Sequence, residues 1–205
     1  MVDPRESVPR FLAQYKGNTY VEGWAKLWDR GDCLNWDKGF PNPALEDTLT
    51  ERQSILGAPT FKDGNGNRHR RRALVPGCGR GVDVLLLASF GYDAYGLECS
   101  HSAIEACNAE EAGTKATYPI RDPSVGRGSI TFIQGDFFDD AWLEKLGLQQ
   151  NAFDLVYDHL VRALPCIPMI IWTGAVVLTD PTVLLRVKSF SSIQMGLATD
   201  SASCL

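Results

Sequence analysis

Three glycines on alternate positions, Gly77, Gly79 and Gly81, stand between a short apolar run, Ala73-Leu-Val75, and an apolar stretch that begins at Val82. Glycine takes φ > 0 at little cost and lets a backbone lie against a ligand. Three of them between a strand and a helix therefore suggest a nucleotide cradle. Glu98 closes the next apolar run, Tyr92 to Leu97, and a carboxylate there can accept hydrogen bonds from both hydroxyls of a ribose. A third apolar run leads into Gly135-Asp136-Phe137, a second acidic turn. The glycines alone would also serve a plain surface turn; the carboxylates that follow favour a ligand.

The dinucleotide fingerprint requires G-x-G-x-x-G, and Val82 stands where its third glycine would be. An adenosine without a pyrophosphate does not need that glycine. The order G-x-G-x-G, acid after the second strand, Asp after the third points to S-adenosylmethionine rather than to a nicotinamide or flavin cofactor.

These residues need a scaffold, and the flanking pattern supplies one. Strands are expected at Ala73–Val75, Asp93–Leu97, Ser129–Ile133 and Phe153–Asp158, with helices at Val82–Ser89, Ser102–Ala112 and a short one carrying Leu143 and Leu146. Such alternation implies an α/β fold, a mostly parallel sheet with helices on both faces, and it places ligands at the carboxyl ends of the strands. Ser100 is placed to cap the helix that follows it. Upstream, residues 1 to 20 are polar and contain Pro4 and Pro9. Trp24, Leu27 and Trp28 then fall on one helix face. That stripe alone fits a docking helix. With Trp36 nearby, it also fits an aromatic wall over a sulfonium, which ring faces attract by roughly 0.5 to 2 kcal/mol. Ala44 to Leu56 is expected as one helix, Lys62 to Asn67 as a flexible loop, and residues 113 to 128 as an exposed loop.

The 205 residues suffice for one domain with a substantial core: a helical cap over 1–60, a cofactor-binding core over 70–160 and a tail over 166–205. The net charge of −5 argues against a general nucleic-acid or membrane-surface role. The one basic cluster, Arg68-His69-Arg70-Arg71-Arg72, is expected to be a solvated flank of the first strand. The six cysteines form no C-x-x-C pair and no signal peptide is visible, so reduced thiols in a cytoplasmic protein are expected. The apolar stretch Leu164 to Leu178 is broken by Pro165 and Pro168 and is too short for a membrane span. His69, His101 and His159 stand apart from one another, and no metal site is assigned.

Taken together, the wording resembles the thiopurine and thiol S-methyltransferase family, in its plant and fungal thiol or halide methyltransferase branch. The marks are Trp24-x-x-x-Trp28, Trp36-Asp-x-Gly39 with Pro43-x-Leu45, Ala73-Leu-Val-Pro-Gly-Cys-Gly-x-Gly81-x-Asp83, Gly96-Leu-Glu98, Gly135-Asp-Phe137 and Phe153-Asp-Leu-Val-Tyr-Asp158. They cover roughly residues 20 to 165. The resemblance implies a Rossmann-like S-adenosylmethionine-dependent methyltransferase fold, and methyl transfer to a small thiol, thiocyanate or halide. It also implies a cofactor with its methionine part near Gly77 and Gly79, its ribose on Glu98, and its adenine beside Asp136 and Phe137, under Trp24, Trp28 and Trp36. Tyr157, Asp158 and His159 are the candidates by position for activating the acceptor, since a free thiol needs a base at neutral pH.

The resemblance stops after Pro165. Relatives continue to a seven-stranded sheet, whereas Cys166 to Leu205 carries none of the family's wording. It could supply a strand at Met169–Leu178 and another at Thr182–Phe190. The sheet is therefore expected to be incomplete at its C-terminal end, with a low-stability edge. A relative that binds the cofactor without turnover is the alternative to an active enzyme, and a monomer is expected in either case.

Overall fold

The computed structural model describes residues 4–31, 37–113, 118–149, 151–158 and 176–179. In chain order the elements are α1 (Pro4–Leu12), α2 (Tyr20–Arg30), α3 (Pro43–Glu51), α4 (Gln53–Leu56), β1 (Thr60–Lys62) and β2 (Arg68–Arg70). There follow β3 (Arg72–Pro76), α5 (Val82–Ser89), β4 (Asp93–Glu98), α6 (His101–Gly113), β5 (Ile130–Gln134), α7 (Ala141–Lys145), β6 (Leu155–Asp158) and β7 (Val176–Thr179).

β3 to β7 form a five-stranded parallel sheet in the order β5-β4-β3-β6-β7. The chain runs outward from β3 to β5 and then returns to the other side of β3, so the order reverses between β3 and β6. That reversal is the point at which open α/β sheets bind ligands, beyond the carboxyl ends of their strands.

Side chains alternate across the sheet with period two. Ala73, Val75, Leu155 and Tyr157 join Leu45, Leu49, Leu56, Cys107 and most of α5 in one core cluster. Leu74, Val156, Leu97 and Phe153 join Trp142 and Leu143 of α7 in the other. Both faces are thus covered, which explains the near-continuous apolar wording of β3 and α5. In α5, Leu85, Leu86 and Leu87 are each at most 2% exposed, and such burial contributes about 1.5 to 3 kcal/mol per side chain.

The four expected strands and their helices are present, and β7 adds a fifth that overlaps the end of the expected Met169–Leu178. The second tail strand, Thr182–Phe190, lies outside the described residues. Several local expectations are corrected. The polar start contains α1, whose Leu12, with Tyr15 just beyond it, packs on Gly23 of α2. A Cβ at Gly23 would come within 2.8 Å of the Tyr15 ring. The expected helix Ala44–Leu56 breaks at Arg52 into α3 and α4. Thr48 and Thr50 bond back to the carbonyls of Ala44 and Glu46, which weakens that last turn. Lys62–Asn67 is the tip of a β1–β2 hairpin, tied by Asp63, whose Oδ1 accepts from the amides of Asn65 and Asn67, both at 2.9 Å.

The basic cluster is not a free solvated flank. Arg70 is half-buried and donates to the carbonyls of Gly91 (2.8 Å) and Val125 (2.7 Å), pinning the loop before β5 to the hairpin. Arg71 bridges the Ala58 carbonyl and the Asp154 carboxylate, each at 3.0 Å. The run is basic because carbonyls and one carboxylate must be gathered at the amino end of the sheet. Arg70→Ala should therefore cost about 2 to 3 kcal/mol, and Arg72→Ala, an exposed position, should stay within about 0.5 kcal/mol. Urea denaturation of both variants measures the difference.

Candidate active site

The site starts where β3 ends. Gly77, Gly79 and Gly81 have φ of 59°, 55° and 80°, all in the left-handed region that disfavours any side chain. Gly81 is also closed to a Cβ by packing, since one would lie 2.6 Å from the Phe132 ring of β5. Between the glycines, Cys78 is buried and its amide donates to the Leu97 carbonyl at 3.2 Å, continuing the β3–β4 ladder into the turn. The turn then feeds α5 through Gly81, whose carbonyl accepts from Leu85 N at 3.0 Å.

Glu98, 6% exposed at the end of β4, holds the turn in shape. Its Oε2 accepts from Gly79 N at 3.0 Å, and its Oε1 from Cys99 N at 2.8 Å, from the Cys99 thiol at 3.1 Å and from Ser100 N at 3.4 Å. From the other side, the Cys107 thiol of α6 donates to the Gly79 carbonyl at 3.0 Å. Both polar groups of the Gly79 peptide are therefore fixed. Ser100 caps α6 as expected, its Oγ accepting from Ala103 N at 3.2 Å.

Trp28 of α2 lies over this turn. Trp28 is 7% exposed, and a Cβ on Gly79 would stand 3.3 Å from its ring. Trp24, one turn earlier, is half-buried and packs edge-on against Tyr20. Trp36 lies outside the described residues. The helix is tied down by Asp29, which accepts from Ser102 Oγ of α6 at 2.6 Å. Beyond it, Asp37 and Asn42 reach Arg80 and Asp83 on either side of Gly81.

β5 contributes Asp136 and Phe137. Asp136 accepts from Phe138 N at 2.9 Å, closing the turn, and Phe137 packs edge-on against Phe138. Gly135 is required by packing, because a Cβ there would come within 2.8 Å of Trp142. On the acceptor side the three candidates separate. Asp158 is half-buried at the end of β6, Tyr157 is 2% exposed inside the core cluster with Leu45 and Leu49, and His159 lies outside the described residues. Among the described residues no cluster of three metal-ligating side chains occurs, and no helix is long and apolar enough to cross a membrane.

Asp136 with Phe137, Glu98, the glycine turn and Asp158 thus lie in that order along the carboxyl edge of four neighbouring strands. The family model for thiopurine S-methyltransferase matches residues 20–173, a stretch that contains all of them. The chain belongs to that family. Thiocyanate methyltransferase 1 of Brassica oleracea is 32% identical over 160 residues, covering 77% of this chain and 54% of that protein. Probable thiol methyltransferase 2 of Arabidopsis thaliana is 33% identical over 137 residues, covering 67% of this chain and 46% of that protein. The chain therefore spans about half the length of these curated relatives. A solved S-adenosylmethionine-dependent methyltransferase from Thiobacillus denitrificans, in complex with S-adenosyl-L-homocysteine, superposes with a TM-score of 0.40 at 17% identity, over 69% of this chain and 49% of that one.

The sequence reading missed the thiols as parts of the site. The Cys78 and Cys107 sulfurs lie 3.9 Å apart beneath the turn, and both are free. The hydrogen bond with Cys107, then burial, pushes the Cys78 thiol well up; burial, then the Glu98 charge, does the same to Cys99. Both stay protonated at neutral pH. Because an unfolded thiol ionises near pH 8.5 while these do not, stability should be full below that pH and fall as pH rises above it. In a Cys33→Ser, Cys166→Ser, Cys204→Ser background, thiol reagents at pH 8 should label the folded protein slowly, with labelling accelerating only as urea unfolds it.

Proposed function

We propose that this chain is an S-adenosylmethionine-dependent methyltransferase acting on a small thiol, thiocyanate or halide. The observation that carries the cofactor reading is the seat of Glu98. Oε1 takes three hydrogen bonds while Oε2 takes one, from Gly79, among the described residues. A carboxylate offers about two acceptor sites per oxygen, so Oε2 keeps capacity for a sugar hydroxyl at the carboxyl end of β4. The relatives' names support the acceptor class.

Bound there, the cofactor would supply a methyl group on a sulfonium for direct displacement by a thiolate or similar anion. Glu98 would hold the ribose, the backbone at Gly77 and Gly79 would receive the methionine part across the turn that ends at Gly81, and Asp136 and Phe137 would flank the adenine. Trp24 and Trp28, with Trp36, would exclude water and attract the positive charge by roughly 0.5 to 2 kcal/mol. A dry wall favours a step in which opposite charges cancel. Of the three acceptor-side candidates, we assign proton removal to Asp158, with His159 beside it in sequence. The burial of Tyr157 fits it to packing against α3. The raised pKa values of Cys78 and Cys99 keep these neighbouring thiols from competing as methyl acceptors. A monomer working in the cytoplasm without nucleic acid completes the reading, supported by the net charge of −5 and by two thiols that lie in contact without forming a disulfide.

Glu98→Ala should weaken S-adenosylmethionine by about 1.5 to 3 kcal/mol in calorimetry, the worth of charge-assisted hydrogen bonds. An unchanged dissociation constant removes Glu98 from the site. Trp28→Ala should weaken S-adenosylmethionine more than its neutral demethylated product, because the ring quadrupole acts on charge; equal losses reduce Trp28 to packing. Labelled S-adenosylmethionine mixed with a simple thiol tests the activity itself. Binding without methyl transfer would favour a non-catalytic relative.

A further inference from the structure

Arg80 lies between Gly79 and Gly81, inside the cofactor turn, yet its side chain reaches away to a residue distant in sequence. Its Nε donates to Asp37 Oδ2 at 2.9 Å and Oδ1 at 3.2 Å, and its Nη2 donates to Oδ2 at 2.6 Å. The Asp37 side chain is 6% exposed and that of Arg80 is 34% exposed, with Glu110 of α6 at 4.0 Å from Nη1. Two residues beyond Gly81, Asp83 Oδ1 accepts from Asn42 N at 2.8 Å, and Asn42 in turn caps α3 through Ala44 N. The segment from Asp37 to Asn42 therefore grips the junction of turn and helix on both sides of Gly81.

We propose that Arg80 is a positioning residue for the cofactor site: its forked ion pair with Asp37 clamps the N-terminal segment onto the glycine turn and so sets how tightly the turn binds its ligand. The proposal rests on the reading of that turn as an S-adenosylmethionine site. A carboxylate buried to this extent keeps its place only with its charge compensated. Without Arg80, Asp37 would leave for water and take the segment with it. A lysine could neutralise the charge but not reproduce the planar fork, so it should restore the clamp only in part.

The test uses the full chain, with Arg80→Ala, Arg80→Lys, Asp37→Asn, the Arg80→Ala/Asp37→Asn pair, and the swapped pair Arg80→Asp/Asp37→Arg. Two quantities are read: the dissociation constant for S-adenosylmethionine by calorimetry, and amide exchange over residues 37–42 in ligand-free protein. Arg80→Ala should raise the dissociation constant roughly tenfold, the size of coupling expected between residues in one charge network. It should also expose the Asn42 amide. Arg80→Lys should fall between Arg80→Ala and the wild type, and the double variant should bind no worse than Arg80→Ala, since no buried charge is then stranded. Additive losses, or wild-type affinity in Arg80→Ala, would overturn the clamp. Wild-type protein that binds no S-adenosylmethionine overturns the cofactor reading instead. The clamp is then decided by exchange alone, and unchanged protection at residues 37–42 in Arg80→Ala refutes it. If Arg80→Ala fails to fold, recovery of binding in the swapped pair supports the proposal, and its absence in a folded swapped pair rejects it.

Discussion

A carboxylate seated almost out of water is the constraint on which the rest of the site depends. Removing a Glu98 carboxylate from solvent is costly unless donors surround it, and those donors include backbone amides: Gly79 N of the glycine turn, and Cys99 N and Ser100 N just after β4. This fixes where the Gly79 peptide must point, and with it the left-handed conformation that only glycine accepts easily. The parallel register that sets Pro76 against Leu97 brings the two ends together. Trp28 can lie on Gly79 because no side chain intervenes. One buried charge thus dictates the residue type, the backbone angles and the aromatic cover.

The parts of this arrangement that were legible in the sequence are those carried by neighbours in the chain. The β-strand and helix alternation, the glycine spacing, the acid closing β4 and the Ser100 cap each follow from local periodicity and local chemistry, and each is present. What escaped reading depends on pairing at a distance. Nothing near Arg70 announces that it will serve the carbonyls of Gly91 and Val125, nor does Arg80 announce Asp37. Gly23 and Gly135 carry no signal separating a flexible glycine from one needed so that Tyr15 or Trp142 can approach. Tyr157 stands beside Asp158 in sequence, but strand alternation turns it into the core, and adjacency alone could not rank the two.

Besides the apolar packing of α3 and α4 on the sheet, the N-terminal segments are tied to the glycine turn, α5 and α6 by polar contacts at separate points. Asp29 meets Ser102 of α6, Asp37 meets Arg80 in the turn, and Asn42 meets Asp83 at the start of α5. Hydrogen bonds and ion pairs are directional, so three of them fix an orientation that a greasy contact would leave free to slide. The arrangement suits a wall that must stay at a defined height over a turn whose own backbone is locked.

The sheet makes the contrasting case. β7 comes from Val176–Thr179, beyond the stretch that matches the family, yet it pairs in parallel with β6 residue for residue from Leu155 to Asp158. A ladder is made of backbone groups, and Val-Val-Leu-Thr is a sequence rich in the β-branched residues that favour extended backbone. Such a strand can be supplied by unrelated wording, and it covers an edge of β6 that would otherwise invite pairing with another chain. The glycine turn has no such freedom, because its angles, its carboxylate and its covering ring are each met by one residue type. Resemblance therefore persists around the cradle and can lapse in the strand that flanks it, while β6 keeps its partner and Asp158 its place at the end of the row.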